Sequence, residues 1–491
     1  MEATQNDLRA VLRSRVPLVV IQTRDEAPAR AQLRALARET TPPTAVFEWA
    51  VTQGLRRVDV DLGATQAFNA DPGKVLAWIL EGLPGVYVLL DFHPYLAEPL
   101  NVRMLKDICL SYDTNPRTVV LISHHVEIPA ELAHLAARFE MAFPERAERR
   151  AIVDEVAREW ATRNGARVSA DETSVDMLVE NLAGLSVTDT RRLARTAVSD
   201  GAVTKADMPA VTRAKYELLN QGGVLSFEYD TADAADLAGM GRLKGWLARR
   251  RPAFDGSAPD LDPPRGVLLL GVQGCGKSLA AKVTASVFGV PLLRMDVGAV
   301  HDKYVGESER KLRESLATAE VMAPCVLWVD EIEKGFAAGA DDAGTSQRVL
   351  GTFLTWLAEK RSRVFVVATA NDIARLRPEL VRKGRFDEVF FVDLPDAAVR
   401  AEVLRIHAGR RGMELDGVEL ESCAAACEGF SGAEIEQAVV SAVYAAHADR
   451  APVSAEHLMR EIAATRPLSV IMAEPIAALR QWAAERAVPA Q

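Results

Sequence analysis

Gly271-Val-Gln-Gly-Cys-Gly-Lys-Ser278 fits the pattern G-x-x-x-x-G-K-[ST] at every position, between an apolar run and a helical one. Glycines in such a loop let backbone N–H groups turn inward around phosphate oxygens, where a side chain would block the approach. Lys277 then reaches the β- and γ-phosphates, and Ser278 offers a hydroxyl to Mg²⁺. Farther along, Cys325-Val-Leu-Trp-Val-Asp-Glu331 ends an apolar run in two carboxylates. In one sheet with the loop, Asp330 holds the metal and Glu331 orients and deprotonates an attacking water. Asn371 ends a third run, VFVVATAN, with an amide suited to that water or to the γ-phosphate. Together these residues point to hydrolysis of ATP with magnesium. Arg382 and Arg385, in Leu380-Val-Arg-Lys-Gly-Arg-Phe-Asp387, fall outside any self-contained pocket in this order. They suit delivery of a guanidinium to the γ-phosphate of a neighbouring subunit, which demands an oligomer.

These residues need a parallel sheet to position them. Gly266–Gly271, Cys325–Glu331 and Val364–Asn371 are apolar, β-branched runs of the buried-strand type, and helical periodicity follows from about Ala397 to the end. The first half repeats the plan. Val16–Thr23, Val86–Phe92 and Thr118–Ser123 read as buried strands, Ala27–Ala37 as a helix, and Glu145 to about Leu219 as a helical region. Val119–Arg146 and Val364–Asp396 share one order of features: a strand, a proline–glutamate–leucine turn, an Arg-Phe-acid step, and a second strand ending in proline. A tandem of related α/β units, each with a helical lid, accounts for this. Between them, residues 221–264 read as a linker, with an amphipathic helix over Asp236–Leu247.

The first half lacks the phosphate loop. After Val16–Ile21 comes Gln22-Thr-Arg-Asp-Glu-Ala-Pro, with no glycine and no lysine, and Asp25 and Glu26 occupy the following helix N-terminus that a phosphate would need. Asp91 ends the second strand but is followed by Phe92 and His93, not by glutamate. This half is expected not to hydrolyse ATP and to recruit substrate or partner. His124 and His125 end its third strand; as strand neighbours they face opposite ways and do not share an ion.

The second half resembles the AAA clade of P-loop ATPases from about Asp236 to Ala464, on GVQGCGKS, KYVGESERKLR (Lys303–Arg313), VLWVDE, VATAN, RKGRFDE and GFSGAEIEQ (Gly429–Gln437) in that order. More narrowly, the whole chain is similar to the hypothetical chloroplast reading frame AAA ATPases of plastids and bacteria. MAPCVLWVDEIEK, VLGTFLTWLAEK, VRKGRFDEVFF and PLSVIMAEPIAALRQWAAERA carry that likeness. The resemblance implies an inactive AAA-like domain with lid (residues 1–220), the linker and a leading helix (221–264), the AAA α/β ATPase domain (265–396), its helical lid (397–465) and a C-terminal helix (466–491). It also implies nucleotide contacts from Gln273, Gly274, Cys275, Gly276, Lys277, Ser278 and Leu279, from Leu237, Ala238 and Gly239 framing the base, from His407 beside ribose and adenine, and from Gly432 and Ala433 in the lid. Arg382 and Arg385 become fingers acting in trans. In the wider clade the segment holding Tyr304 and Val305 faces the channel of a hexamer, where an aromatic and an aliphatic side chain grip an extended peptide. An ATP-driven ring of six that remodels an unidentified protein client is the leading expectation; a slow ATP-dependent switch controlling assembly with a partner is the alternative.

Composition bounds the rest. At 491 residues, 49% hydrophobic and 26% charged, the chain is an ordinary globular mix of several domains. A formal net charge of -10 and a pI near 5.5 argue against holding nucleic acid through its phosphates. Five scattered cysteines, an odd number, suit reduced thiols, and Cys423 and Cys427 suit core packing one helical turn apart. No apolar run reaches the ~20 residues of a membrane span, and the first residues lack a signal-peptide core. The expected location is the cytoplasm, without membrane insertion.

Overall fold

The computed structural model describes residues 8–491, except 13, 24, 41–42, 61–68, 221–223, 230–231, 259, 301–306, 336–342, 374 and 383. The chain divides into two compact units, Met1–Val211 and Thr212–Gln491.

In the first unit, β1 (Leu18–Gln22), β2 (Val46–Ala50), β3 (Gly54–Arg57), β4 (Gly85–Leu90), β5 (Arg117–Ser123) and β6 (Ala136–Glu140) form one sheet in the order β3-β2-β4-β5-β1-β6. Every pair is parallel except the β2–β3 hairpin. Both faces are covered, so the inner strands β1, β4 and β5 are apolar over most of their length instead of alternating. Leu18 and Val20 enter the core beneath Pro72–Glu81 and Pro99–Leu110, while Val19 and Ile21 enter the core beneath Glu26–Arg38. Helices Arg146–Asn164, Glu172–Asn181 and Val187–Ala197 follow, with the short pair β7 (Ser169–Ala170) and β8 (Ala202–Val203) among them.

The second unit opens inside helix Met208–Leu219. Its sheet contains β9 (Leu225–Glu228), β10 (Gly266–Gly271), β11 (Leu292–Met295), β12 (Cys325–Val329), β13 (Val364–Ala370), β14 (Glu388–Val392) and β15 (Val488–Pro489) in the order β15-β14-β10-β13-β12-β11-β9. The order β11-β12-β13-β10-β14 reproduces β2-β4-β5-β1-β6 of the first unit, and each sheet carries an antiparallel strand beyond it, β9 or β3. The two units are therefore tandem α/β folds of one topology. Helices Ala397–Arg410, Gly417–Ala426, Gly432–Ala448 and Ala455–Ala464 gather around a separate apolar core that includes Leu404, Ile435 and Leu458. Cys423 and Cys427 are buried there as free thiols.

Several elements differ from the sequence reading. Residues 221–264 contribute the strand β9, and their helix spans Gly241–Asp255. The helical run toward the end gives way to β15, which pairs in parallel with Phe390 and Phe391. Its neighbourhood explains the switch. The backbone N–H of Ala490 donates to Phe391, and its carbonyl accepts from the N–H groups of Arg242 and Leu243, the open first turn of Gly241–Asp255. Among the described residues no single helix is long and apolar enough to cross a membrane; the bent pair Ala455–Ile471 and Ala473–Arg486 meets that test only jointly, by length and composition.

Candidate nucleotide-binding site

Strand β10 lies between β14 and β13, and β13 lies beside β12, so the loop after β10 and the residues ending β12 and β13 emerge together at one edge of the sheet. That is where open α/β sheets hold ligands. Residues 272–276 turn from β10 into helix Lys277–Phe288. Gly274 and Gly276 have φ of 77° and 88°, the left-handed region that favours glycine. A Cβ on Gly274 would also stand 2.9 Å from Ser431 Oγ, so the glycine admits the lid as well as bending the loop. The lid closes onto it: Ala433 N donates to the Gly274 carbonyl at 3.0 Å.

Lys277 is buried, and its ammonium donates to the carbonyls of Gly271 (2.8 Å) and Val272 (2.7 Å). Burial pushes its pKa down to about 8, against the attraction of nearby acids. Asp330 Oδ1 accepts from Thr369 Oγ1 at 2.7 Å, and Oδ2 from Arg294 Nη2 at 3.1 Å. Glu331 has a φ of 47°, unusual for a residue with a side chain, and its N–H donates to the same Thr369 hydroxyl at 3.0 Å. One hydroxyl thus fixes both acids. The Glu331 carboxylate accepts from Asn371 Nδ2 at 3.1 Å and from Lys334 Nζ at 2.7 Å. The Asn371 amide therefore meets Glu331 directly. Glu333, buried behind them, accepts from Asn371 N, and burial holds its pKa above the ordinary carboxylate value.

Lys277, Asp330, Glu331, Thr369 and Asn371 line one cavity of about 470 Å³. Gln273, Gly274, Cys275, Gly276, Lys277, Ser278, Leu279, Asp330, Glu331 and Asn371 form one end. Leu237, Ala238, His407, Gly432 and Ala433 line it too, with an apolar slot from Val399, Val403 and Ile406. Gly239 does not line it; its N–H donates to Glu402 at 3.0 Å, and Val399 and Gln491 pack against it. His407 Nδ1 is buried without a hydrogen bond, 3.4 Å from Glu436, and burial lowers its pKa. A buried ring nitrogen without a hydrogen bond, on a residue that lines the cavity, suits a polar ligand atom. At the other end, the hydroxyl of Ser278 and the carboxylate of Asp330 are hard oxygen donors, which fit Mg²⁺.

Arg382 and Arg385 stay outside this cavity, on the segment between β13 and β14. Arg382 is exposed, and Arg385 is half-buried with Nη1 lacking a partner among the described residues. Tyr304 and Val305 lie outside the described residues. The sequence reading missed Thr369, although it sits two residues before Asn371 on the same strand face, and Arg294, which β11 brings from afar. It also missed Ala490 and Gln491, which β15 delivers to the cavity wall.

The phosphate loop, the paired acids and the clamping lid define a P-loop nucleotide-binding module. The pattern of the ATPase family associated with various cellular activities (AAA) matches residues 267–394, and that of the AAA+ lid domain matches 417–460. The N-terminal and second domains of SpoVK-like AAA ATPases match residues 4–141 and 147–222. AAA domain-containing protein ycf46 of Pyropia yezoensis is 33% identical over 495 residues, covering 99% of this chain and 98% of the relative. That of Guillardia theta is 34% identical over 487 residues, covering 97% and 94%. The proteasome-activating nucleotidase of Pyrococcus horikoshii is 34% identical over 254 residues, 49% of this chain and 63% of that protein. The chain belongs to the AAA ATPases and, within them, to the family of the ycf46 proteins.

Proposed function

We propose that the second unit binds ATP with magnesium and hydrolyses it, and that six subunits form a ring that uses this cycle to remodel a protein client. The observation that carries the reading is the cavity at the sheet edge, where the loop, both acids, Asn371 and the lid converge. Magnesium, when bound, screens the phosphate charge and polarises the γ-phosphoryl group. Ser278 and Asp330 hold it, and Lys277 turns from its carbonyls to the β- and γ-phosphates. Glu331, braced by Asn371 and Lys334, accepts the proton of the attacking water. Leu237, Ala238 and His407 receive the base and ribose, while Gly432 and Ala433 keep the lid on the loop; Gly239 serves behind them. Arg382 and Arg385 act on the neighbouring subunit's nucleotide, in keeping with their place outside their own cavity. Tyr304 and Val305 grip the client. The first unit recruits it and does not hydrolyse ATP: residues 23–25 alone join β1 to Glu26–Arg38, where the second unit uses 272–276. Five free cysteines agree with a reducing compartment, the cytoplasm.

The test is the solution mass of Glu331→Gln with and without ATP–Mg²⁺. Hydrolysis is expected to fall by at least roughly a hundredfold, given what a positioned base contributes, while ATP stays bound and the mass shifts to a hexamer. Wild-type hydrolysis would overturn the assignment of Glu331. An ATP-insensitive monomer or dimer would move the reading to a regulatory switch.

A further inference from the structure

The first unit holds a polar cluster that the nucleotide chemistry does not use. Asp91 follows β4, His93 follows two residues later, Ser123 ends the adjacent β5 and His124 comes directly after it. Strand pairing sets the ends of β4 and β5 side by side, with Leu90 opposite Ile122. One ligand atom from each of Asp91, His93 and His124 lies within 4.8 Å of the others. The His93 and His124 rings meet edge to face, 5.0 Å between centroids. His125 turns away, toward Gln22 and Glu127. The residues sit at the carboxyl edge of the parallel strands, the crevice in which such sheets bind ligands.

We propose that Asp91, His93 and His124 form a binding site for a divalent transition-metal ion, with zinc as the fitting case. Two imidazoles and one carboxylate are borderline donors that suit zinc and its neighbours, whereas magnesium prefers oxygen alone. Among the described residues no lysine or arginine neutralises Asp91; its partners are the Ser123 hydroxyl at 2.8 Å and His93 Nδ1 at 4.0 Å. Ser123 Oγ also lies 2.8 Å from His93 Nδ1. A hydroxyl has one proton. Given to Asp91, it leaves the serine oxygen beside the His93 ring, so Ser123 orients both ligands as an outer partner. Ligands about 2.0–2.2 Å from a tetrahedral ion stand about 3.4 Å apart, so modest side-chain rotation at exposed Asp91 and His124 and half-buried His93 closes the set. Asp91 also holds a left-handed backbone, φ 49°, as Glu331 does at the corresponding edge of the second sheet. A water completes the coordination.

Zinc titration of the untagged, metal-stripped full chain, without nucleotide or magnesium, tests this. One zinc per chain is expected, with affinity falling at least roughly tenfold in His93→Ala/His124→Ala and in Asp91→Ala, and unchanged in His125→Ala. The cobalt form is expected to show tetrahedral visible bands without thiolate charge transfer. Should the double variant fail to fold, His124→Gln at its exposed position gives the same reading. Absence of stoichiometric zinc in the wild type, zinc retained in the variants, or a thiolate spectrum would each overturn the proposal.

Discussion

Lys277 rests its ammonium on two carbonyls of its own loop, in a setting dry enough to bring its pKa to about 8. Phosphate oxygens are stronger partners for that charge than carbonyls, so binding raises the pKa again. The sign follows by linkage. Below the free-protein value the lysine is already charged and affinity is full. As pH rises through about 8 toward the pKa of the complex, binding must take up a proton and weakens. Titration calorimetry just above that pH, in two buffers of different ionisation enthalpy, is expected to show net proton uptake by the wild type. Lys277→Met is expected to lose that uptake along with most of the affinity. Uptake that survives in the variant would assign it to another group.

Within the first unit, a charged clamp joins one helix to the sheet. Glu48 on β2 is 2% exposed and pairs with Arg30 and Arg34 of Glu26–Arg38, both at 2.6 Å, and with Arg56 of β3 at 3.4 Å. Burial, the largest influence, pushes its pKa up, but Arg30 and Arg34 outweigh it and hold the carboxyl below its ordinary value. Removing the acid leaves partly buried guanidinium groups facing one another, so Glu48→Gln is expected to destabilise this unit by about 3 kcal/mol at neutral pH. The folded-state pKa is depressed, so the clamp's contribution is present above the unfolded value and lost as pH falls through the folded one. The gap between wild type and Glu48→Gln in urea unfolding should therefore narrow at low pH; an equal gap at both would show that packing, not charge, sets it.

At the scale of the assembly, the pocket supplies loop, acids and lid from one chain, while Arg385 lies outside it with a nitrogen unpartnered among the described residues. On the proposed action between subunits, each site would depend on two chains. Arg385→Ala would keep its own pocket and Glu331→Gln its proposed finger, so mixed rings would contain interfaces with both. Steady-state hydrolysis by the mixture is expected to exceed the sum of the two variants alone by several fold. Strict additivity would place the arginine's action within its own subunit.

The phosphate loop could be read directly because its chemistry is contiguous: glycines, lysine and serine must follow one another to wrap a phosphate. Asp330, Glu331 and Asn371 were legible because buried strands are apolar, so a carboxylate or amide at the end of such a run stands out. The repeated order of strand, turn and second strand likewise revealed the tandem. Other partners were set by non-local pairing. Arg294 reaches Asp330 because β11 lies beside β12, and Ala490 reaches the cavity because β15 extends the sheet past β14. Asp91, His93 and His124 look like unrelated residues until β4 and β5 align. Side-chain types and local spacing are properties of the chain alone, whereas which strand ends stand together is decided only when the sheet forms, since backbone hydrogen bonding between distant segments fixes that order.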